Sequence, residues 1–223
     1  MLQLVAFDVA GTTVSDDGLV LDAFASAFAK VVPERWRLES ATFTNYAVDT
    51  MGRSKIEVFT ELLNDVSLAE LANVEFEKAY RNLIVDGGLK PIGNAGELFV
   101  NLHDRGIKVG LTTGFSRETL DLILGLLNWN NLIDASCVPA EVGAGRPSPL
   151  MLQSLASTLG VLPENTVVLG DSQSDMRAAL AFGAAEAIGV LSGIHDREAL
   201  VSAGATAVID SVSSLEGHLF SHS

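Results

Sequence analysis

Short, continuous apolar runs recur along the chain, and most are followed by a stretch with helical periodicity. Continuous runs of this length are typical of strands that are buried on both faces of a parallel sheet. The runs lie in the segments LQLVAFDV, GIKVGLTTG, ASCVPA, TVVLGDS, AAEAIGV and TAVIDSV. The helical stretches NAGELFVNLHDRG and SPLMLQSLASTLG end at a glycine, as helix C-termini often do. Alternating strands and helices predict an α/β fold with a doubly wound parallel sheet.

The interval after the first strand breaks this alternation, because it contains no run typical of a buried strand. Three amphipathic patterns, LDAFASAFAKVV, SKIEVFTELLNDV and LAELANVEFEKAYRNLIV, predict helices instead. The glycines of Asp86–Gly88 and a turn at Pro91 close the interval. We therefore predict a helical domain at residues 15–90, inserted into an α/β core domain that is formed by residues 1–14 and 91–223.

The charge of the chain restricts its ligands. The 223 residues include 28 Asp or Glu against 14 Lys or Arg, which gives a net charge of −14. An acidic surface repels phosphate backbones, so we expect no nucleic-acid partner and a small-molecule substrate. An anionic substrate then requires a locally positive pocket or a metal ion.

Other sequence features indicate a cellular compartment. No apolar run reaches the roughly 18 residues of a membrane span, so we expect no membrane contact. The opening segment MLQLVAFD lacks the basic region of a signal peptide. Cys137 is the single cysteine, which excludes an intrachain disulfide and suits a reducing compartment. The sequence predicts a cytoplasmic protein.

The candidate catalytic and binding residues follow the ends of the predicted strands. Asp8 follows the first strand, Thr113 the second and Asp171 the fourth, and Arg146 lies in the loop after the third. Ligands of open α/β sheets bind beyond the carboxyl ends of the strands. Each aspartate alone could equally be a helix cap or a turn residue. Together, two carboxylates at one edge repel each other unless a cation separates them, and Mg²⁺ suits such a pair.

The segments FDVAGT, LTTG and GDSQSD, together with Arg146, resemble the four ordered motifs of the haloacid dehalogenase superfamily. The resemblance covers nearly the whole chain and implies a Rossmann-like core with an inserted helical cap. It also implies that Asp8 is the nucleophile. The metal ligands that it implies are Asp8, the backbone carbonyl of Ala10, Asp171 and Asp175, the last as a ligand or close by. The residues that it implies for phosphate binding are Gly11, Thr12, Thr113, Gly114 and Arg146.

Ala10 departs from the usual first motif, which carries a second acid at this position. In a phosphomonoesterase that acid protonates the leaving group and later activates water. The segment DVAGT, with Arg146-Pro147 in the third motif, instead resembles the phosphonoacetaldehyde hydrolase (phosphonatase) subgroup, which cleaves a carbon–phosphorus bond. This subgroup takes a lysine from the cap.

The segment MGRSKIEVF resembles the lysine segment of that subgroup, which implies that Lys55 forms a Schiff base and that Met51 lines the substrate pocket. A protonated imine accepts the electrons that the breaking carbon–phosphorus bond releases, so no acid is needed at Ala10. From spacing alone, Lys55 is more typical of a solvated helix lysine. Val58 stands where the subgroup has a histidine, with Glu57 beside it.

Three interpretations follow. The first is cleavage of phosphonoacetaldehyde or a related 2-oxoalkylphosphonate through a lysine Schiff base and an aspartyl phosphate. The alternative is a phosphomonoesterase, similar to phosphoglycolate phosphatase, that acts on a small phosphate ester. A phosphate-binding or receiver-like signalling module ranks third, because such a module needs no helical insertion of the size predicted here. The resemblance to phosphonatases also implies a homodimer.

Overall fold

Six parallel strands form one sheet in the computed structural model, which describes residues 1–15 and 17–220. The strands are β1 (Leu4–Phe7), β2 (Lys108–Thr112), β3 (Ala135–Cys137), β4 (Thr166–Gly170), β5 (Glu186–Val190) and β6 (Ala207–Ile209). Their order in the sheet is β3-β2-β1-β4-β5-β6, and every neighbouring pair is parallel. The predicted doubly wound, Rossmann-like α/β fold is confirmed.

Eleven α-helices lie in the described part of the chain and connect these strands. They are α1 (Leu19–Val31), α2 (Pro33–Asp49), α3 (Lys55–Leu63), α4 (Val66–Leu83), α5 (Ala95–Asp104), α6 (Arg117–Leu127), α7 (Pro139–Val142), α8 (Leu150–Leu159), α9 (Gln173–Phe182), α10 (Arg197–Ser202) and α11 (Leu215–Phe220). Within residues 1–15 and 17–220, none of them combines the length and the apolar character that crossing a membrane requires.

The position of β1 determines where a ligand can bind. All four of its residues are fully buried, and it pairs with β2 on one side and β4 on the other. The chain runs outward from β1 through β2 to β3, and then starts again at β4 on the opposite side. The crevice at such a reversal is the usual ligand site of an open α/β sheet. Phe7 pairs with Leu169, so the residues that follow β1 and β4 meet there.

Serine caps begin the two helices that leave this edge. The Ser116 hydroxyl accepts a hydrogen bond from the Thr119 N–H at the start of α6, and the Ser172 hydroxyl accepts one from the Asp175 N–H at the start of α9. Each cap satisfies a backbone donor that the first helical turn leaves unpaired. Both helices begin within a few residues of the end of the preceding strand.

The helices α1–α4, which we call the helical insertion, pack around a cluster of phenylalanines. The rings of Phe28 and Phe43 lie 4.6 Å apart between centroids, and Phe24 lies 4.8 Å from Phe59 and 4.9 Å from Phe76. All five side chains are buried. Aromatic pairs at these separations add to the stabilisation that burial alone provides.

The three amphipathic sequence patterns correspond to α1, α3 and α4, whereas α2 was not predicted. Its buried residues are Phe43 and Ala47 in a segment of 17 residues. Two buried positions do not produce the periodic apolar stripe by which a helix is recognised in sequence.

Among the contacts that hold the insertion against the core, two lie next to the sheet. Where it joins the core, Val14 and Pro91 form an antiparallel bridge, and the Ser15 N–H donates to the carbonyl of Lys90 at 2.8 Å. The second contact lies on α4, where the Tyr80 ring stacks on Phe115 after β2 with 4.4 Å between ring centroids. One apolar cluster therefore continues from the sheet into the insertion.

Replacing Phe28 by Ala is expected to lower the free energy of unfolding by about 3–5 kcal/mol, because it removes the ring at the centre of the insertion's aromatic cluster. Urea denaturation measures the loss. Val74→Ala on α4 is the control, since that side chain is 61% exposed and its truncation should cost little. Equal stability of the two variants would contradict the packing described.

Candidate active site

A buried arginine joins two of the aspartates at the sheet edge. Arg146 Nη1 lies 2.6 Å from Oδ1 of Asp8, and the same nitrogen contacts Oδ1 of Asp175. All three side chains are buried. A buried charge is tolerated when it is paired, so each member of this group depends on the others. Within the described part of the chain, Nε of Arg146 has no acceptor, which leaves a buried donor suited to an anionic ligand.

Asp171 directly follows β4 and is a further buried carboxylate near Asp8. Its Oδ2 accepts a hydrogen bond from the Ile194 N–H at 2.8 Å. Burial, and then the charge of Asp8, raise the pKa of Asp171 to about 7. Two buried carboxylates in this arrangement destabilise each other's ionised form, and a bound cation removes that penalty. The donor set therefore fits a hard divalent metal ion.

The carboxylates of Asp8, Asp171 and Asp175 each provide an oxygen within 4.8 Å of the other two. The oxygens of Asp175 are already engaged, because Oδ2 accepts from the N–H and hydroxyl of Ser172 and Oδ1 contacts Arg146. This geometry favours a role for Asp175 in orienting Arg146 and leaves Asp8 and Asp171 as the carboxylates best suited to a metal.

A small cavity of about 20 Å³ brings most of the expected site residues together. Its lining consists of Asp8, Ala10, Val20, Met51, Gly52, Lys55, Thr113, Gly114, Phe115, Arg146 and Asp171. Residues from the first, second and fourth strand ends thus meet residues from α3 and the loop before it. We call this space the Asp8 cavity.

Two of the residues expected at the phosphate lie outside the Asp8 cavity. Gly11 lines a neighbouring cavity of about 290 Å³ that also reaches Asp171. A Cβ on Gly11 would lie 2.5 Å from Oδ2 of Asp171, so no larger residue fits there. Thr12 is fully buried and lines neither cavity, and its hydroxyl has no partner among the described residues.

Lys55 is buried rather than solvated, with 5% of its surface exposed. Its Nζ lies 4.0 Å from Sδ of Met51, 5.4 Å from the ring centre of Phe24 and 5.8 Å from that of Phe76. Aromatic faces attract a cation, so these rings hold the side chain in the insertion. The spacing argument for a solvated lysine fails at this position, because α3 turns the residue toward the Asp8 cavity.

The two residues near the expected histidine position have different environments. Val58 is fully buried and belongs to the large apolar cluster, so it does not line the Asp8 cavity. Glu57 points to the core instead, and its Oε1 accepts a hydrogen bond from the Gly145 N–H at 2.9 Å. A carboxylate of the helical insertion therefore contacts the loop that carries Arg146.

Three glycines allow the loop before Lys55 to lie directly against the core. Their part in this contact was not predicted from the sequence. A Cβ on Gly114 would lie 2.5 Å from the carbonyl oxygen of Arg53, and a Cβ on Gly145 would lie 2.6 Å from Cβ of Ser54. A Cβ on Gly52 would overlap the hydroxyl of Ser172. In the sequence, the only sign of this contact is that Gly114 follows Thr113 and Gly145 precedes Arg146.

The parallel sheet, the cluster of buried aspartates at its edge and the helical insertion after β1 together fit a hydrolase with an α/β fold. The family model described as haloacid dehalogenase-like hydrolase matches residues 2–183, and the chain belongs to this family.

Individual relatives and solved structures are similar to most of the chain. Phosphonoacetaldehyde hydrolase of Bacillus cereus is 33% identical over 192 residues, which cover 79% of this chain and 71% of that protein. Among solved structures, a hydrolase from Pseudomonas syringae has a TM-score of 0.84 at 23% identity, with 98% of each chain covered. A phosphonoacetaldehyde hydrolase-like protein from Oleispira antarctica has a TM-score of 0.80 at 22% identity, over 97% of this chain and 91% of that one. The two structures support the fold.

Replacing Gly114 by Ala is expected to lower the free energy of unfolding by about 1–3 kcal/mol, because the new methyl group collides with the carbonyl of Arg53. The matched control is Gly125→Ala within α6, where a Cβ meets no atom within 4 Å. That change should be neutral or stabilise by up to about 1 kcal/mol, since alanine favours the helix. Urea denaturation compares them, and the reverse ranking would contradict the contact.

Proposed function

We propose that the protein is a Mg²⁺-dependent, phosphonatase-like hydrolase that cleaves the carbon–phosphorus bond of phosphonoacetaldehyde or a related 2-oxoalkylphosphonate. The observation that carries this proposal is that Lys55 and Asp8 line one cavity with Ala10 in place of a second acid. The name of the relative that is 33% identical supports the same reaction.

Lys55 is assigned the first step. Its Nζ attacks the carbonyl carbon of the substrate, and loss of water leaves a protonated imine that is bonded to the lysine. Phe24, Phe76 and Met51 exclude water around this nitrogen. A desolvated lysine is the usual amine for Schiff-base catalysis, because solvation no longer stabilises its ammonium form.

Asp8 is assigned the second step. One carboxylate oxygen attacks phosphorus, and the carbon–phosphorus bond breaks with its electron pair moving into the imine to give an enamine. The products of the step are an aspartyl phosphate on Asp8 and an enamine on Lys55. No proton is needed on the departing carbon, which accounts for Ala10. Water then hydrolyses the aspartyl phosphate, while the enamine takes up a proton and is hydrolysed to the aldehyde or ketone.

The remaining residues are assigned to binding. Thr113, Gly114 and Arg146 line the Asp8 cavity and would hold the phosphonate oxygens. Asp8, Asp171 and the carbonyl of Ala10 would hold Mg²⁺. When bound, the ion neutralises negative charge at phosphorus and at the two carboxylates.

We also assign residues 15–90 to a cap over the core of residues 1–14 and 91–223. The cap provides Lys55 and Met51, and its closure would exclude water during both covalent steps. The expected partners are the small phosphonate or phosphate substrate and, by the resemblance to phosphonatases, a second copy of the chain.

Sodium borohydride added with phosphonoacetaldehyde is expected to reduce the imine and leave a covalent adduct on Lys55. Mass spectrometry locates the adduct, with the exposed Lys78 as the internal control. Lys55→Arg keeps the charge but forms no stable imine, so phosphate release should fall by at least about a hundredfold. No adduct, an active Lys55→Arg variant and release of phosphate from phosphate esters would establish the phosphomonoesterase alternative.

Asp171→Asn is expected to have opposite effects on thermal stability in the absence and in the presence of Mg²⁺. Burial and Asp8 raise the pKa of Asp171 from 3.8 to about 7, so its ionisation at pH 8 destabilises the metal-free protein. This penalty shrinks as pH falls from about 7 toward 3.8, where the unfolded chain also binds the proton. The amide should therefore raise the melting temperature without metal. Mg²⁺ at a hundred times its dissociation constant should stabilise the wild type by about 2.7 kcal/mol and the variant hardly at all.

The control for this thermal measurement is the exposed Asp210→Asn, which should behave like the wild type. A Mg²⁺-induced shift that survives in Asp171→Asn would place the ion elsewhere.

A further inference from the structure

Glu77 is a buried acid that the proposed reaction does not use. It lies on α4 with 5% of its surface exposed. Its Oε1 accepts a hydrogen bond from the Ser116 N–H at 3.0 Å, and its Oε2 accepts from the Ser116 hydroxyl at 2.7 Å and from the Thr119 hydroxyl. All three donors belong to the core, while the acceptor belongs to the helical insertion.

The donors lie at the start of α6, directly after the loop that carries Thr113 and Gly114. The N-terminus of a helix attracts negative charge, and Ser116 is the N-cap residue of this one. A carboxylate buried at this end is stabilised by the helix as well as by its hydrogen bonds. Arg81, one turn along α4, adds a contact of 3.3 Å to the Thr119 hydroxyl.

The preceding residue on α4 connects this contact to the Asp8 cavity. Phe76 precedes Glu77, and its ring centre lies 5.8 Å from Nζ of Lys55. Tyr80 and Phe76 both stack on Phe115, which lines the Asp8 cavity. A displacement of Glu77 from the start of α6 would therefore move the ring against which Lys55 rests.

We propose that Glu77 is a positioning residue that holds the helical insertion against the core, so that Lys55 stays buried beside Asp8. It acts through α4 and Phe76 and touches neither substrate nor reacting atoms. Its effect on the position of Lys55 is independent of the reaction, and only its consequence for turnover rests on the proposed function.

Chemical labelling of Lys55 tests the proposal without a substrate. The folded protein is treated briefly with acetic anhydride, and mass spectrometry gives the ratio of acetylated Lys55 to acetylated Lys78, which lies exposed on α4. In Glu77→Ala the ratio should rise about tenfold, because three hydrogen bonds to a charged group are lost. Glu77→Gln keeps an acceptor and should restore most of the protection.

Two further variants separate positioning from general loss of stability. Glu70→Ala removes an exposed carboxylate from the same helix and should leave the ratio unchanged. Thr119→Val removes one donor from the core side with little change of shape, and should raise the ratio by about threefold. It also carries the test if Glu77→Ala does not fold.

An unchanged ratio in the folded Glu77→Ala and Thr119→Val variants would overturn the proposal, as would an equal rise in Glu70→Ala. In the presence of phosphonoacetaldehyde, Glu77→Ala should slow borohydride trapping of Lys55, and Glu77→Gln should restore most of the trapping rate. Absence of any Lys55 adduct in the wild type would overturn the proposed function instead, and would leave the labelling result standing.

Discussion

The buried contact between Arg146 and the carboxylates of Asp8 and Asp175 organises the whole edge of the sheet. Burying a carboxylate or a guanidinium is costly unless an opposite charge accompanies it, and here the three buried side chains compensate one another. The contact connects the ends of β1 and β4 to the loop after β3. Burial, and then the charge of Asp8, raise the pKa of Asp171, so a second cation suits this pair of carboxylates.

Much of the core could be predicted from the sequence, because its signals are local. Continuous apolar runs identify parallel strands whichever partners they take, and the motifs at their ends converge once the sheet is parallel. Asp8, Thr113, Arg146 and Asp171 meet in one cavity for this reason. Thr12 shares the segment FDVAGT with Asp8 but is turned away from the cavity, since adjacent loop residues have no fixed orientation.

Features that depend on contacts between distant segments could not be predicted. The sequence pattern of α2 is too weak to define a helix, and its two buried residues become apolar partners only when α1 and α3 are in place. The burial of Lys55 depends on rings from α1 and α4. Glu77 is an ordinary helix glutamate in sequence, and its hydrogen-bond donors lie about forty positions further along the chain.

The bridge between Val14 and Pro91 brings the two ends of the helical insertion together at one point of the core. Because the chain leaves and returns at neighbouring points, the sheet is insensitive to the length of what lies between them, and the entropy of closing a longer loop grows only slowly. Such a junction is modular. A different set of helices could be exchanged at the same two points, which would supply a new amine, acid or pocket to an unchanged edge of the sheet.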